Sequence, residues 1–236
     1  MEAVPQAPER PTNIAALRSS TLFNSLTGED LDELATVSHM AYAERGETIW
    51  MRGNEVDFYG LVGVGFVKMV QSLANGHEVT SEIMGPGQIF GLLGTVEGTG
   101  CPLESRAVCN MWYLKIPKAD FMPIFDGRIE FKNQLLRRTT NRLRQTMDMM
   151  AKMSTGKVDE RIALILMLLS ESYGKESEKG VTIQVPLTRQ DIGEMAGTTV
   201  ESTIRVMSRW QKNGIIESDH RFVTILDVRV LEEYLR

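Results

Sequence analysis

Two charged side chains, Glu201 and Arg205, stand four residues apart in a stretch whose apolar spacing predicts a helix. Residues four apart lie on the same face of an α-helix, so the two side chains point the same way. In the major groove of DNA, arginine can donate two hydrogen bonds to guanine, and glutamate can accept one from cytosine N4. The spacing therefore predicts a pair of side chains suited to reading base edges.

The residues around this pair predict two short helices joined by a tight turn, within residues 188–214. Thr188 is suited to cap the first helix, and Asp191 falls in its first turn, near the positive end of the helix dipole. Gly197 provides the permissive backbone that the turn needs, and Thr198 or Thr199 can cap the second helix. This pattern is typical of a helix-turn-helix, although any helical hairpin with a solvated face would share much of it.

Apolar spacing also assigns faces to the two helices. We expect a buried stripe on each: Ile192, Met195 and Ala196 on the first, and Ile204, Met207 and Trp210 on the second. The opposite face of the second helix is expected to be mostly polar and to carry Val200, Glu201, Ser202, Arg205 and Arg209.

Length and composition set the outer bounds. The chain has 236 residues, of which 42% are hydrophobic, enough for one large or two small domains with proper cores. No stretch approaches the ~20 apolar residues of a membrane span, and the start MEAVPQAPERP does not resemble a signal peptide, so we expect a cytoplasmic protein. The net charge of −5 is a weak objection to DNA binding, because the local field at the docking face decides steering.

The first half of the chain predicts an antiparallel β-barrel or jelly roll. Residues 1–12 are rich in proline and polar side chains, which predicts disorder, and helices are expected at 14–26 and 29–39. From Ala43 onward, short apolar runs alternate with turn signals, of which Asn75-Gly76 is the clearest. A last strand over 105–116 closes this sensor domain, which we place at residues 13–117.

A long helix follows, at residues 118–154. Ile129, Leu136, Leu143 and Met150 recur every seven residues, with Thr140 and Met147 between them. Such a seam predicts pairing with a second copy of the helix, so these six positions form the expected dimer interface. The alternative is a helix that packs on its own barrel.

The last part, residues 155–236, predicts a winged helix. A helix at 159–172 precedes a charged turn at 174–180 and a strand at 181–187. A hairpin over 214–226 follows the helix-turn-helix, and a short helix at 228–235 ends the chain. The predicted fold class is α+β: an N-terminal antiparallel jelly-roll barrel, a long dimerisation helix and a C-terminal winged helix-turn-helix.

This order of elements resembles the CRP/FNR superfamily of bacterial transcription regulators over nearly the whole chain. Two stretches carry the resemblance: RGETIWMRGNEVDFYGLVGVGFVKM, similar to the family's cyclic-nucleotide-binding barrel, and LTRQDIGEMAGTTVESTIR, similar to its helix-turn-helix. The resemblance implies a homodimer that binds a palindromic double-stranded DNA site, with RNA polymerase as a further partner. A redox- or haem-responsive member of the family and an interaction module that has lost DNA binding are the alternatives.

The resemblance also implies roles for individual residues. Arg189 matches a position that touches phosphate, and Glu201 and Arg205 match the base-reading pair, so the half-site should keep the family's GA core. Val200 stands where the cAMP-responsive branch usually has an arginine, and Ile204 stands where the FNR-type branch often has serine, which leaves the outer bases open. The candidate DNA-binding residues are Thr188, Arg189, Thr199, Val200, Glu201, Ser202 and Arg205.

The effector pocket departs from the family pattern. Leu92 stands where cAMP-binding members carry a ribose-binding glutamate, and Cys101 and Pro102 stand about where they carry an arginine and its hydroxyl partner. Burying a phosphate without its cation is expensive, so cAMP is not the expected ligand. The remaining lining, which includes Val96, is apolar and is either filled by side chains or open to a hydrophobic ligand. The candidate pocket residues are Gly91, Leu92, Leu93, Cys101, Pro102 and Thr146.

Other sensor chemistries have thin support. The histidines His39, His77 and His220 are expected at a helix end, a turn and the wing, which are surface positions rather than haem-ligand positions. Two cysteines are too few for a four-thiolate iron–sulfur cluster; Cys101, in a loop, is a better thiol sensor candidate than Cys109, which is expected inside a strand. No metal site or enzymatic constellation is predicted, and the native effector is left open.

Overall fold

The computed structural model of the chain describes residues 7–92 and 100–235, which form two compact units. The first contains residues 7–71, 81–92 and 100–143, and the second contains residues 72–80 and 144–235. Within these described ranges, no helix is both long and apolar enough to cross a membrane.

Short helices open the first unit: α1 (Asn13–Ser19), a 3₁₀ turn (Thr21–Ser25) and α2 (Gly28–Val37). Thr27 caps α2 in a capping box with Asp30. The helix predicted over 14–26 is broken at Ser20, which has an extended backbone. The helix predicted over 29–39 ends at Val37, and His39 begins a strand instead.

Two four-stranded antiparallel sheets make up the barrel, in the orders β1-β8-β3-β6 and β2-β7-β4-β5. This confirms the predicted fold class. The Asn75-Gly76 turn joins β4 and β5, and Gly76 has the positive φ of +81° that such a turn requires. The strands are β1 (His39–Ala43), β2 (Thr48–Trp50), β3 (Phe58–Val64), β4 (Val67–Ser72), β5 (Glu78–Met84), β6 (Ile89–Phe90), β7 (Glu104–Ala107) and β8 (Met111–Pro117).

The final strand predicted over 105–116 is two strands, β7 and β8. Residues 108–110 bend between them, so that β7 pairs with β2 and β4 while β8 pairs with β1 and β3. Cys109 therefore lies in this bend and is half-buried, not inside a strand.

The helix predicted over 118–154 is also two elements, α3 (Lys118–Gly127) and α4 (Ile129–Thr155). Arg128 separates them with an extended backbone, and its Nη2 donates to Asp30 Oδ1 at 2.9 Å. This contact with α2 fixes the break. Just beyond it, Phe131 is fully buried and stacks on Phe23, with ring centroids 5.8 Å apart, so the start of α4 is anchored in the core of the first unit.

The composition of residues 1–12 predicts disorder, but the last part of this segment makes defined contacts. Trp112 Nε1 donates to the carbonyl oxygen of Pro8 at 2.8 Å, and the Arg10 guanidinium lies 5.5 Å from the centre of the Trp112 ring. Thr12 accepts from the Ala15 N–H and caps α1. Residues 1–6 lie outside the described part of the chain.

A winged helix occupies the second unit, with the strand order β11-β12-β10-β9. The charged turn predicted at 174–180 holds the first of these strands, because residues 174–177 pair with residues 180–183. Glu194 is buried and accepts from Gln190 Nε2 at 2.9 Å and from Thr80 Oγ1 at 2.8 Å. The elements are α5 (Val158–Tyr173), β9 (Gly174–Ser177), β10 (Gly180–Ile183), α6 (Arg189–Ala196), α7 (Val200–Lys212), β11 (Ile216–Asp219), β12 (Phe222–Ile225) and α8 (Val228–Glu233).

Candidate nucleic-acid interface

The first helix of the pair, α6, begins with the predicted cap. The Asp191 N–H donates to Thr188 Oγ1 at 3.1 Å, and the Thr188 N–H donates to Asp191 Oδ2 at 2.9 Å. These two bonds satisfy backbone donors that the helix leaves open at its start. They also fix the direction in which the next residue, Arg189, leaves the helix.

Arg189 is half-buried, and its Nη2 donates to Ser218 Oγ on β11 at 2.9 Å. Burial lowers the pKa of the Arg189 guanidinium, but arginine remains protonated in proteins, so the side chain is a positioned cation. This contact with Ser218 could not be predicted from the sequence, because the serine lies 29 residues further along the chain.

The turn between α6 and α7 has the predicted left-handed glycine. Gly197 has φ 57° and ψ 44°, and its N–H donates to the Gly193 carbonyl oxygen. Of the two candidate caps, Thr199 is the one used: its hydroxyl oxygen accepts from the Ser202 N–H at 3.2 Å.

Gly193 is a second special glycine, which sequence reasoning did not single out. A Cβ atom at this position would lie 3.0 Å from Thr203 Oγ1 and 3.2 Å from the Thr198 carbonyl oxygen. Such contacts are tighter than van der Waals packing normally allows. The close crossing of α6 and α7 therefore favours glycine here, unless Thr203 or the turn shifts by a few tenths of an ångström.

The buried face of α7 differs from the prediction at one position. Thr203, Val206, Met207 and Trp210 are buried, whereas Ile204, predicted to be buried, is 46% exposed. The reason is helical phase: buried positions at 203, 206, 207 and 210 follow the i, i+3, i+4, i+7 spacing of a helix stripe, which leaves 204 outside it. Thr203 tolerates burial because its hydroxyl donates to the Thr199 carbonyl oxygen at 3.0 Å.

Glu201 and Arg205 are both exposed, one helical turn apart on the solvent side of α7. The pKa of the Glu201 carboxyl is lowered, first by a hydrogen bond from its own backbone N–H and second by one from the Thr199 side chain. The carboxylate is therefore ionised and can act only as a hydrogen-bond acceptor. Val200 and Ser202, the other candidates on this helix, are each half-buried at its N-terminal end.

Arg209 was expected on the same polar face, and it is exposed. Its guanidinium, however, forms an ion pair with Asp159 at the start of α5. Arg209 therefore has an ion-pair partner within the winged helix.

The predicted dimer positions on α4 are exposed within the single chain. Ile129, Leu136, Leu143, Met147 and Met150 are between 55% and 68% exposed, and Thr140 is also exposed. An apolar seam of this length facing solvent is unusual for a helix packed on its own barrel, because surface helices normally place such residues inward.

The described residues of the candidate effector pocket carry uncharged side chains. Cys101 is 2% exposed, Pro102 is exposed, and Leu92 packs against the core formed by α1, α2, β3 and α3. Gly91 has φ +87°, and a Cβ there would lie 2.8 Å from Trp50, so the backbone alone explains this glycine. Leu93 and Val96 lie outside the described residues, and Thr146 lies on α4 in the second unit.

Aromatic rings fill the barrel core beside these residues. The Trp50 ring lies 5.0 Å from Phe90 and 5.4 Å from Phe58, and Phe90 lies 5.8 Å from Tyr113. Arg106, five residues after Cys101 in the sequence, donates from Nε to Glu104 Oε1 at 2.8 Å. This contact supports a structural role for Arg106.

The cysteines and histidines considered for thiol sensing and haem binding lie in environments that do not favour these roles. Burial raises the pKa of both the Cys101 and the Cys109 thiols, which disfavours the reactive thiolate. His39, His77 and His220 are exposed, at the start of β1, in the β4–β5 turn and in the wing turn. Across the described residues, no group of three or more histidine, cysteine, aspartate or glutamate side chains is placed to hold a metal ion.

Fold and site together define a winged-helix DNA-binding protein with an attached antiparallel barrel. Comparisons with known proteins agree. A family model of the cyclic nucleotide-binding domain matches residues 41–128, and one of the Crp-like helix-turn-helix domain matches residues 160–234. The chain belongs to the CRP/FNR superfamily of transcription regulators.

Individual relatives cover most of the chain. The transcriptional activator protein anr of Pseudomonas aeruginosa is 28% identical over 228 residues, which span 96% of this chain and 92% of the relative. The transcriptional activator protein FnrA of Stutzerimonas stutzeri is 27% identical over 86% of this chain and 83% of that protein. Among solved structures, FixK2 from Bradyrhizobium japonicum has a TM-score of 0.74 at 20% identity, over 84% of this chain and 97% of that chain.

Proposed function

We propose that the chain acts as a homodimer that binds a palindromic site in double-stranded DNA and so regulates transcription. The observation that carries this proposal is the exposed Glu201–Arg205 pair on a capped helix of a winged helix-turn-helix. A helix of this kind enters the major groove with its N-terminal residues against base edges. Two-fold symmetry of the protein would then match a two-fold symmetric site.

Each candidate residue has a distinct role in this proposal. Arg205 donates to guanine, and the ionised Glu201 accepts from cytosine N4. Arg189, held by Ser218, contacts a phosphate, as do the polar groups of Thr188, Thr199 and Ser202 at the two helix starts. Val200, at the first position of α7, lies at the edge of this surface.

The exposed seam on α4 supports self-association. The residues named above as dimer positions would be covered by the same residues of a second copy, since pairing of two such helices places a and d positions against each other. Dimerisation would bring two copies of α7 to successive turns of the major groove.

The barrel, in this proposal, does not take cAMP. The aromatic core and the carbon atoms at Leu92, Cys101 and Pro102 provide no cation for a buried phosphate. We expect no change in melting temperature on addition of cAMP at concentrations far above those that saturate a typical site; a rise of several degrees would contradict this part. We further propose that the protein is cytoplasmic, is not an enzyme and contacts RNA polymerase.

The decisive experiment is selection of bound fragments from random double-stranded DNA by the full chain. We expect enrichment of a palindrome whose half-site centres lie about one helical turn apart. Arg205→Ala should lose about 5- to 150-fold in affinity per half-site of the selected DNA, the equivalent of about 1–3 kcal/mol for one bidentate guanine contact, and little for scrambled DNA.

Lys212→Ala is the matched control. It removes one positive charge from the exposed C-terminal end of the same helix, so it should weaken binding to the selected site and to scrambled DNA by the same factor. Absence of any enriched sequence, or an Arg205→Ala variant that still prefers the selected site over scrambled DNA as strongly as wild type, would refute the proposal.

A further inference from the structure

Ile204 is an apolar side chain that α7 presents to solvent. Single exposed aliphatic residues are common on proteins and carry little meaning by themselves. Ile204 differs because of where it stands: directly before Arg205 and three residues after Glu201, with the core of the winged helix already supplied by Val206, Met207 and Trp210.

Helix geometry places Ile204 on the reading side. At about 100° per residue, Arg205 lies about 40° from Glu201 around the helix axis, and Ile204 lies about 60° away in the other direction. The buried stripe is centred on the far side, about 110° from Ile204. A groove that receives Glu201 and Arg205 therefore receives Ile204 as well.

The chemistry of the groove restricts what an isoleucine can contact there. Base edges in the major groove present nitrogen and oxygen donors and acceptors, and one apolar group, the C5-methyl of thymine. Placing an aliphatic side chain against a polar edge removes water from that edge without replacing its hydrogen bonds, which is unfavourable. Against a methyl group, the same contact buries apolar surface on both sides and is favourable.

We infer that Ile204 reads the C5-methyl group of a thymine, at a base pair adjacent to the one that Arg205 contacts. This inference rests on the proposed function, and it deepens it: it assigns the base class at a position that the Glu201–Arg205 pair leaves undetermined. It also assigns to Ile204 a role that the predicted buried stripe would have denied it.

Replacing thymine by deoxyuridine tests this directly, since it deletes only the methyl group. In the site selected from random DNA, each thymine of the half-site is replaced in turn, symmetrically in both half-sites. Wild-type protein should lose about fourfold in affinity per half-site at one position, the value of one buried methyl group, and little elsewhere. Ile204→Ala should bind the thymine and deoxyuridine sites equally at that position.

Two further variants make the result specific. Ile204→Val, which keeps a branched aliphatic group, should retain part of the penalty for deoxyuridine. Leu168→Ala removes another exposed aliphatic side chain of the second unit, on α5 rather than on α7, and should retain all of it. Because Ile204 is exposed, its substitutions should leave the melting temperature unchanged, which circular dichroism will verify.

The outcomes separate this inference from the proposed function. A site whose recognition depends on Arg205 but shows no deoxyuridine penalty at any thymine would overturn the inference alone. So would a penalty that persists in Ile204→Ala, for example one that disappears in Val200→Ala instead. If selection enriches no sequence, the proposed function itself fails.

Discussion

The reading surface of α7 and the interior of the barrel have opposite chemistry. On α7, charged and polar side chains stand in solvent on a helix that is fixed by local contacts, chiefly the Thr199 cap and the Gly197 turn. In the barrel, Trp50 packs against Phe58 and Phe90, residues from separate strands, and the core is apolar and aromatic. The exposed face of α7 therefore offers hydrogen-bond donors and acceptors to a partner, whereas the barrel interior is lined mainly by apolar and aromatic side chains.

The difference matters because substitutions in the two regions should change different properties of the protein. A buried aromatic cluster contributes free energy of folding, so its substitutions act on stability. An exposed polar pair contributes little to folding and acts on binding. Substitutions can therefore test whether the barrel interior is a packed core or a ligand site, independently of DNA binding.

The largest effect should come from Trp50→Ala. Trp50 is buried and contacts two aromatic rings, so its truncation should lower the free energy of unfolding by about 3–5 kcal/mol. Urea denaturation followed by far-UV circular dichroism measures the change. Met51→Ala, at the neighbouring exposed position, should change it by less than about 0.5 kcal/mol.

Equal effects of Trp50→Ala and Met51→Ala would break the comparison, because a side chain that can be removed without cost lines an open site rather than a core. A Trp50→Ala variant that is destabilised as expected, and that still binds the selected DNA below its melting temperature, would sharpen it.

How far the sequence predicts these two regions follows from the range of the contacts that build them. The caps at Thr188 and Thr199 and the turn at Gly197 depend on residues within four positions of each other; the sequence predicts the first cap and the turn, and narrows the second cap to Thr198 or Thr199. The prediction that Ile204 is buried is wrong, because it relies on the apolar character of the side chain rather than on its position around the helix. Thr203 takes that place through packing against α6 and a backbone hydrogen bond, which no periodicity reveals.

The barrel was predictable as a pattern of strands but not as a filled interior. Trp50 and Phe58 lie on consecutive strands, but Phe90 joins them from a strand much further along the chain, and the stacking of Phe131 on Phe23 spans a longer separation still. The break at residues 108–110 was missed because this stretch has no glycine or proline. The departures from the family pattern at Leu92, Cys101 and Pro102, in contrast, are visible in the sequence once the resemblance to the family is recognised.

A smaller effect is expected from Gly193→Ala. Alanine favours helix by about 1 kcal/mol over glycine, but the new Cβ would press on the Thr198 carbonyl oxygen and on Thr203 Oγ1, which is held by its hydrogen bond to the Thr199 carbonyl oxygen. We expect a net destabilisation of about 1 kcal/mol, measured by urea denaturation. Gly28→Ala is the matched control: it lies in a helix with open space around it, and it should be neutral or stabilising.

A double-mutant cycle with Thr203→Ala assigns the cause. If the crowding is at Thr203 Oγ1, Gly193→Ala should cost less in the Thr203→Ala background than in the wild type. Additive effects would place the strain elsewhere in the turn, and a stabilising Gly193→Ala would show that the crossing of α6 and α7 can relax. In that case the reading helix is less rigidly placed than the comparison assumes.

The smallest effect is electrostatic and concerns Glu201. Hydrogen bonds from its own N–H and from Thr199 lower the carboxyl pKa in the folded protein, so the carboxylate favours the folded state at pH values above the ordinary glutamate range. That contribution is lost as the pH falls through the lowered pKa, and the preference for cytosine should be lost over the same interval. Carboxyl-detected NMR should find the pKa of Glu201 below that of glutamate in a peptide, and Thr199→Ala should raise it. Ser208→Ala, further along the exposed face, should leave it in place; a pKa that is indifferent to Thr199 would mean that the cap does not prepare the carboxylate for base reading.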